Sequence, residues 1–308
     1  MIRWWRKPPC WRLASDAYPD YTSSIAPGGC CLPVLRCRIS TGSPRRIILS
    51  ENKSRAPKRV RNELRFRQIT VAAKTLVAEN FWRIDFIGDD LAGFVSPGFD
   101  DHIKVFFPDA VTGELHLPEV TSDGVVWKEG IRPVSRDYTP LWFDGVKKTL
   151  TLDFYIHDGG VASSWAAQAQ VGDPLAIGGP RGSMIVPEDY AFQLYVCDES
   201  GLPAFKRRKE TVQGGVRKLF AFADEASGSL YLDGLNGIDV SWLGSGNMHG
   251  DRLLALISEL DSIQLPHDDY FIWLTGEGEA VKQLNDYFVL QRGCDENFVR
   301  AVAYWHQK

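Results

Sequence analysis

The sequence lacks any apolar run long enough to cross a membrane. A transmembrane helix needs about 20 consecutive apolar residues, and no stretch of the 308 residues approaches that length. Collagen-like glycine repeats are absent as well, and the balance of 44% hydrophobic to 24% charged residues is typical of a folded protein. These features exclude a membrane-spanning protein, a fibrous protein and a chain that is disordered throughout, and they leave material for about two globular domains.

Methionine and cysteine are scarce and unevenly placed. None of the three methionines lies between Met1 and Met184. The six histidines show no metal-ligand spacing. Four of the six cysteines fall near the start of the chain, without paired C-x-x-C spacing, at Cys10, Cys30, Cys31 and Cys37. We therefore expect no protein metal site, and the two dispersed cysteines of the remaining chain predict a reducing compartment, the cytoplasm.

Charge divides the chain in two. Residues 1–67 carry 15 Lys and Arg against 4 Asp and Glu, a local charge of +11, whereas the other 241 residues carry −15. Residues 1–62 show no helical or strand periodicity and contain no apolar core of the kind that a secretory signal needs. The apolar run after Arg45-Arg46 is too short for twin-arginine export. A nucleic-acid arm is conceivable, but a basic stretch without a folded reader is more often a solvated tail. We predict a disordered or non-native extension and no nucleic-acid partner.

The rest of the chain predicts two domains. Six segments concentrate aromatic and β-branched residues between turn signals, at 64–71, 81–87, 102–107, 136–143, 149–157 and 174–177. They predict a six-stranded antiparallel barrel over residues 63–187, with one helix over 162–170. After Pro187 strands alternate with helices, with strands at 191–197, 218–223, 230–232 and 270–274 and helices at 204–213, 251–260 and 280–291. This alternation predicts a Rossmann-like parallel sheet over residues 188–308. The layout is that of the ferredoxin-reductase-like flavoenzymes, by analogy at the level of the fold.

One strand carries the residue types that a flavin nucleotide needs. Residues 136–139 are Arg-Asp-Tyr-Thr. Alternation along the strand places Arg136 and Tyr138 on one face, where they offer a cation for phosphate and a flat surface for the flavin ring, and it places Thr139 on the other face. Taken alone, however, these four residues favour an ordinary barrel strand with one core tyrosine over a flavin-binding strand.

Further segments strengthen the flavin interpretation. They are 100–108, 152–157, 162–166, 179–183, 198–204, 273–277 and 304–305. Together with residues 136–139, and in this order along the chain, they resemble the siderophore-interacting proteins, bacterial FAD-dependent ferric-siderophore reductases that include the vibriobactin-utilisation type. The resemblance spans residues 64–308 and stops before the N-terminal segment.

The resemblance implies FAD-dependent reduction of a ferric siderophore to release Fe(II), with the chemistry carried by FAD and no catalytic side chain. It implies that Arg136 contacts the FAD phosphates or ribityl chain, that Tyr138 stacks on the ring and that Thr139 hydrogen-bonds near N5. It also places His157 against the FAD and assigns the pyrophosphate to the turn of Ala162 and Ser163. A helix N-terminus favours anions on physical grounds too. Trp165 is expected to be a core residue of this helix.

The electron donor stays open between NADH, NADPH and ferredoxin, because the second domain contains no G-x-G-x-x-G. The basic run 206–209 has two interpretations. It binds the 2′-phosphate of NADPH or an acidic ferredoxin, or it is a solvent-exposed helix face without a ligand. The resemblance implies nicotinamide-side loops that contain Asp198, Glu199, Ser200, Gly276 and Glu277.

Ferric siderophores are bulky and frequently anionic, so we expect a cationic pocket near the flavin edge. Lys104 is the first candidate for this pocket and Arg181 is the second, and each is alternatively an ordinary surface residue.

Two departures from the family pattern predict weaker FAD binding. Leu141 stands where the family often has a second arginine, and Asp158 stands beside the phosphate site, where a carboxylate is unfavourable unless it turns away.

The same residues are compatible with two other functions, a general NAD(P)H:flavin oxidoreductase and a siderophore-binding module without turnover. We expect a monomer.

Overall fold

The computed structural model describes residues 55–109, 111–121, 124–127 and 132–307. The predictions made for residues 1–54 lie outside these residues. No helix within the described ranges is long and apolar enough to cross a membrane.

The first domain consists of short antiparallel strands and one helix. Its elements are β1 (Lys58–Arg61), β2 (Phe66–Ala78), β3 (Phe81–Ile87), β4 (Ile103–Phe106), β5 (Pro118–Thr121), β6 (Gly124–Trp127), β7 (Ser135–Tyr138), β8 (Trp142–Asp144), β9 (Thr149–Tyr155), α1 (Val161–Gln168), β10 (Pro174–Gly178) and β11 (Gly182–Ile185). Seven strands form one sheet in the order β7-β4-β10-β2-β3-β9-β8, while β1 with β11 and β5 with β6 form separate pairs. The hairpin β5–β6 was not predicted.

The seven-stranded sheet closes into a barrel. β7 and β8 lie at its opposite edges, although only residues 139–141 separate them in sequence. A flat sheet with strands about 4.8 Å apart would place these edges about 29 Å from each other, whereas the step from Tyr138 to Trp142 spans at most about 14 Å. The sheet must therefore curve until its edges meet.

The predicted single strand 136–143 is wrong. β7 pairs with β4 and β8 pairs with β9, so the backbone leaves one edge of the sheet at Thr139 and Pro140 and enters the other. This division gives the barrel seven strands where six were predicted. The apolar positions of β3 and β9 alternate as predicted and fill the interior, where Trp165 of α1 packs on Phe86 and Phe154 as a core residue.

The predicted disordered or non-native extension over residues 1–62 is corrected only for residues 55–62, where β1 packs on the barrel. β1 pairs in antiparallel register with β11, and the guanidinium of Arg55 lies 3.1 Å from carboxylate oxygens of Asp189 and Asp269. All four side chains of β1 are exposed, so the strand has no apolar alternation to mark it. It is held by backbone pairing to a strand distant in sequence, which the local pattern cannot reveal.

The second domain is a parallel sheet flanked by helices. Its elements are β12 (Phe192–Asp198), α2 (Leu202–Thr211), β13 (Val216–Phe222), α3 (Glu225–Leu232), β14 (Asp239–Trp242), α4 (Asp251–Asp261), β15 (Tyr270–Glu277), α5 (Gly278–Asp286) and β16 (Val299–Trp305). The order β14-β13-β12-β15-β16, with every pairing parallel, confirms the predicted Rossmann-like sheet. The predicted strand 230–232 is wrong, because these residues end helix α3, whose N-terminus is capped by Asp224.

Asp153 joins the two domains. This residue of β9 accepts hydrogen bonds from the guanidinium of Arg83 at 2.9 and 2.7 Å. It also accepts one at 2.7 Å from the hydroxyl of Tyr231, which belongs to α3. The ring of Tyr231 stacks on Phe81 of the barrel, with centroids 4.0 Å apart. The Asp153 side chain is fully buried, so its charge depends on donors from both domains.

Asp100 makes a second connection. It lies just before β4, and its Oδ2 atom accepts hydrogen bonds from the indole of Trp273 at 3.1 Å and from the guanidinium of Arg300. Both donors belong to the parallel sheet. Phe99 beside it packs edge-on against the same Trp273 ring, with centroids 5.4 Å apart. The barrel and the parallel sheet therefore share a packed interface.

Asp153→Asn should destabilise the protein. The amide cannot accept both N–H groups of Arg83, so a guanidinium at the domain interface loses its counter-charge. We expect the free energy of unfolding, measured by urea denaturation, to fall by about 3 kcal/mol. Asp89→Asn is the matched control, because Asp89 pairs with Lys148 at 2.7 Å on the surface; its urea midpoint should stay at the wild-type value. Equal midpoints for wild type and Asp153→Asn would contradict this role for the buried carboxylate.

Candidate flavin and nicotinamide site

Arg136 and Tyr138 lie on β7, at the edge of the barrel sheet. Residues opposite each other in an antiparallel pair share a face, and here Val105 faces Arg136 and Ile103 faces Tyr138. The Tyr138 ring is half-buried on Phe154, with centroids 4.4 Å apart, and burial raises the pKa of its hydroxyl. The two predicted flavin residues therefore share one face, as expected.

Arg136 leaves its charge available. Its guanidinium is exposed and donates a 2.8 Å hydrogen bond to the carbonyl of Ser135. It forms no ion pair with a carboxylate of the described residues. Leu141, at the position of the family's second arginine, is buried in the barrel and donates its backbone N–H to Thr151. Arg136 is thus the cation that this strand offers to a phosphate.

The turn between β9 and α1 presents an open helix N-terminus. Gly160, the N-cap, provides no side-chain hydrogen bond. The Ser163 hydroxyl accepts from the backbone N–H of His157 at 3.2 Å and donates to the carbonyl of Tyr155 at 3.4 Å. Ser163 therefore fixes the turn with its side chain, and the first amides of α1, including that of Ala162, remain free for an acceptor.

A side chain at position 160 would crowd the turn. A Cβ atom there would lie 2.7 Å from Cε1 of the His157 ring and 3.0 Å from the Ser163 hydroxyl oxygen. The exposed His157 ring would have to turn away to admit a Cβ atom, so glycine keeps the approach to the first amides of α1 open without that shift. Asp158 is exposed on the same turn, and its carbonyl lies 3.1 Å from Nδ1 of His157. A free cation, a flat ring and a cradle of amides are the groups that a flavin nucleotide requires, so these residues fit FAD.

Asp198 and Gly276 meet at the carboxyl ends of β12 and β15. The Asp198 carboxylate accepts from the backbone N–H of Ser200 at 2.9 Å and from the indole of Trp305 at 2.7 Å. A Cβ atom on Gly276 would lie 2.8 Å from Oδ2 of Asp198. Burial raises the pKa of Asp198. The structure brings these predicted residues together, but the carboxylate of Asp198 is already used by the protein.

Glu277 is the N-cap of α5. It accepts from the backbone N–H groups of Glu279 at 2.7 Å and Ala280 at 3.1 Å. Its other oxygen accepts from the N–H of Gln307 at 3.3 Å. Burial alone would raise the pKa of Glu277, but these hydrogen bonds outweigh it and the pKa is lowered. Glu277 therefore shapes the edge of the sheet and does not offer a free carboxylate.

Glu199 faces the barrel. Its carboxylate accepts a 3.4 Å hydrogen bond from the hydroxyl of Tyr155, at the end of β9. A small, open cleft lies beside this pair, between the domains. The sequence did not indicate that Asp224 and Ser245, at the ends of β13 and β14, line the same cleft. The predicted parallel sheet could have located both residues, because the loops that follow parallel strands lie together at the carboxyl edge of the sheet.

The basic run 206–209 is largely structural. Lys206 is buried and donates to the carbonyl of Tyr231 at 2.6 Å, and Arg207 donates to the carbonyl of Ser96 at 2.6 Å. Arg208 is buried and donates to backbone carbonyls before β12. Both proposed roles, ligand contact and solvated face, are therefore wrong for these three residues. A run of basic residues in a sequence does not show that backbone carbonyls distant in the chain accept hydrogen bonds from their side chains.

Lys104 and Arg181 occupy one end of the barrel. Lys104 lies opposite Asp137 on the face away from Arg136 and Tyr138, and its ammonium group is 2.8 Å from the Asp137 carboxylate. Arg181 follows β10, whose last residue lies opposite Lys104. Its exposed guanidinium has no ion-pair partner in the described ranges. Arg181 is therefore the less compensated cation of the two.

Glu199→Gln should stabilise the fold at neutral pH. Burial raises the pKa of Glu199, so the folded chain holds this proton more tightly than the unfolded chain. Stability is therefore lost as pH rises above the ordinary glutamate pKa of about 4.3. We expect the Tm difference between variant and wild type to grow between about pH 4.5 and pH 8. The exposed Glu188→Gln is the control and should show no such growth. A variant that is equally destabilised at both pH values would contradict the prediction.

Two family models match the chain. The siderophore-interacting FAD-binding domain covers residues 70–184, and the siderophore-interacting protein model covers residues 190–308. The first range contains every residue predicted to bind FAD, and the second contains the nicotinamide-side loops.

Relatives of known name cover most of the chain. It is 50% identical over 264 residues to an NADPH-dependent ferric-chelate reductase of Escherichia coli (strain K12), which covers 83% of this chain and 99% of that one. It is 27% identical over 241 residues to a ferric vibriobactin reductase of Vibrio cholerae, covering 78% and 89%. A solved siderophore utilization protein from T. fusca matches with a TM-score of 0.71 at 32% identity, covering 82% of this chain and 96% of that one. The predicted resemblance is confirmed, and the chain belongs to the siderophore-interacting protein family, with that family's FAD-binding domain at its barrel.

Proposed function

We propose that the protein uses FAD and electrons from NADPH to reduce ferric iron held in a siderophore, so that Fe(II) is released. The observation that carries the proposal is the 3.4 Å approach of Tyr155, at the end of the flavin-side strand β9, to Glu199, at the carboxyl end of β12. Electron transfer from a nicotinamide to a flavin requires both rings at one place, and open α/β sheets bind nucleotides at their carboxyl edge. The activity named for the Escherichia coli relative supports the same reaction.

The side chains bind and orient the cofactor. Arg136 neutralises phosphate charge, Tyr138 offers its ring as the stacking surface, and Thr139 supplies a hydroxyl near the redox-active edge. His157 and the amides of α1 hold the other end. Bound FAD supplies the chemistry, because it accepts two electrons together and delivers them one at a time.

The ferric siderophore binds at the end of the barrel that carries Lys104 and Arg181. Arg181 is the first residue that we assign to an anionic chelate, because its charge is exposed and unpaired among the described residues. Lys104 is the second, since Asp137 already offsets its charge. One NADPH supplies two electrons and each Fe(III) takes one, so two chelates are reduced per nicotinamide. Fe(II) binds hard oxygen ligands far less tightly than Fe(III) and leaves the chelate.

Ferredoxin is the alternative donor. The structure weakens the argument for it, because three of the four residues of the basic run 206–209 are used inside the protein. We propose a monomer in the cytoplasm. The free thiols of Cys197 and Cys294, both buried, support a reducing compartment.

Stopped-flow mixing tests the reaction. The purified protein should be yellow or take up added FAD, and after reduction by NADPH without oxygen its flavin should re-oxidise rapidly on mixing with a ferric tris-catecholate. Re-oxidation no faster than in iron-free buffer would favour a binding module and overturn the proposal. A colourless protein that does not take up FAD would overturn the cofactor assignment.

Arg181→Ala tests the substrate side. Because one cationic partner of the anionic chelate is lost, we expect the KM for a ferric tris-catecholate to rise about three- to tenfold. The rate with a small neutral dye should not change. Lys148→Ala is the control, since this lysine pairs with Asp89 on the surface, and it should leave both rates unchanged. Equal KM values for wild type and Arg181→Ala would remove Arg181 from the substrate site and favour a general flavin oxidoreductase.

A further inference from the structure

Two buried polar atoms at the domain interface have no partner. The hydroxyl of Tyr304, on β16, and Oδ1 of Asp100 form no hydrogen bond with any described residue. The Asp100 side chain is fully buried, and its other oxygen is held by Trp273 and Arg300. An unpaired buried polar group lowers stability, and such groups are rare in native proteins. Each of these atoms therefore calls for a partner that the described residues do not supply.

The Tyr304 hydroxyl lies where the end of β7 contacts the parallel sheet. The side chain of Thr139 lies beside it, without a hydrogen bond of normal geometry. The Tyr304 ring is fixed edge-on against Trp273, with centroids 6.3 Å apart and planes at 80°. Thr139 directly follows Tyr138, the stacking residue of the proposed FAD site. A group from the second domain is thus held at the redox-active end of that site.

We infer that Tyr304 is a flavin-positioning residue, whose hydroxyl hydrogen-bonds the edge of the isoalloxazine ring beside Thr139. The inference rests on the proposed FAD site and assigns the second domain a direct contact with the flavin. The oxidised ring presents hydrogen-bond acceptors along its edge, and a phenol is a donor.

The surroundings of Tyr304 keep its hydroxyl protonated. Burial raises the pKa of Tyr304, and the negative charge of Asp100 raises it further, while Arg300 and Thr139 act in the opposite direction. The hydroxyl is therefore a donor throughout the neutral range. A buried water that bridges Tyr304 and Asp100 is the competing explanation for both unpaired atoms, and a single substitution separates the two.

Tyr304→Phe removes the hydroxyl and keeps the ring. Because the hydroxyl has no hydrogen-bond partner among the described residues, the Tm of the apoprotein should stay unchanged or rise. The Kd for FAD, measured by quenching of flavin fluorescence on titration of apoprotein, should rise about five- to tenfold. The visible absorption bands of the bound flavin should shift, since a hydrogen bond to the ring edge is lost.

Tyr270→Phe is the matched control. The Tyr270 hydroxyl accepts a 2.8 Å hydrogen bond from the backbone N–H of Asp295 within the second domain, so this variant should lower the Tm and leave the Kd for FAD unchanged. The inference is overturned if Tyr304→Phe binds FAD with wild-type Kd and spectrum, or if it lowers the apoprotein Tm as Tyr270→Phe does, which is the result expected of a bridging water. Failure of the wild-type protein to bind FAD would instead overturn the proposed function, and the inference with it.

Discussion

The need of two buried carboxylates for hydrogen-bond donors determines how the domains pack. Asp153 receives donors from Arg83 of the barrel and Tyr231 of the second domain, and Asp100 receives both of its donors from the second domain. A charge buried without donors loses several kcal/mol of solvation. Any other docking of the two domains that covers these side chains would deprive Asp100 of both of its donors and Asp153 of the Tyr231 hydroxyl. The barrel and the parallel sheet therefore have one favourable arrangement, although the apolar surfaces between them are not directional.

This arrangement sets the geometry of the proposed site. The donors to Asp100 come from β15 and β16, so these strands are fixed against the loop that leads into β4, and β4 carries β7 at its side. The donor to Asp153 comes from α3, which fixes the opposite end of the parallel sheet near β9. The carboxyl edge of the sheet is thereby aimed at the ends of β7 and β9. Tyr155 and Glu199 meet across that edge, as do Thr139 and Tyr304.

Local patterns in the sequence predicted most of the fold. The alternation of apolar residues located β3 and β9, and the alternation of strand and helix predicted the parallel sheet. The failures share a cause, because each depends on contacts distant in sequence. β1 has no apolar face and exists through its pairing with β11. Residues 230–232 have strand-forming side chains, but the cap at Asp224 and packing against the barrel place them in α3.

Strand alternation predicted that Arg136 and Tyr138 share a face, which the pairing of β7 with β4 confirms. The assignment of these residues and of the start of α1 to FAD comes from the order of the family's motifs and stays a prediction. The sequence could not indicate that the carboxylate of Asp198 accepts a hydrogen bond from Trp305, or that the carboxylate of Glu277 accepts hydrogen bonds from the first amides of α5. Partners of this kind are fixed by tertiary packing, and a carboxylate looks the same in a sequence whether it is free or bound.

The same distinction applies to positive charge and decides which residues can meet an anion. The chain beyond residue 67 carries a charge of −15, so an anionic chelate is repelled from most of the enzyme. Among the cations near the flavin strand, Lys104 is offset by Asp137, while Arg136 and Arg181 have no carboxylate partner in the described ranges. β1 adds further exposed cations beside Arg181, because Asn62, just past its end, donates its backbone N–H to the carbonyl of Arg181. On an acidic body, one positive region of this kind concentrates the field and raises the rate at which anions reach it. The basic residues of β1, which the sequence placed in a solvated tail, therefore add to the positive potential around Arg181, the residue that we propose for the substrate.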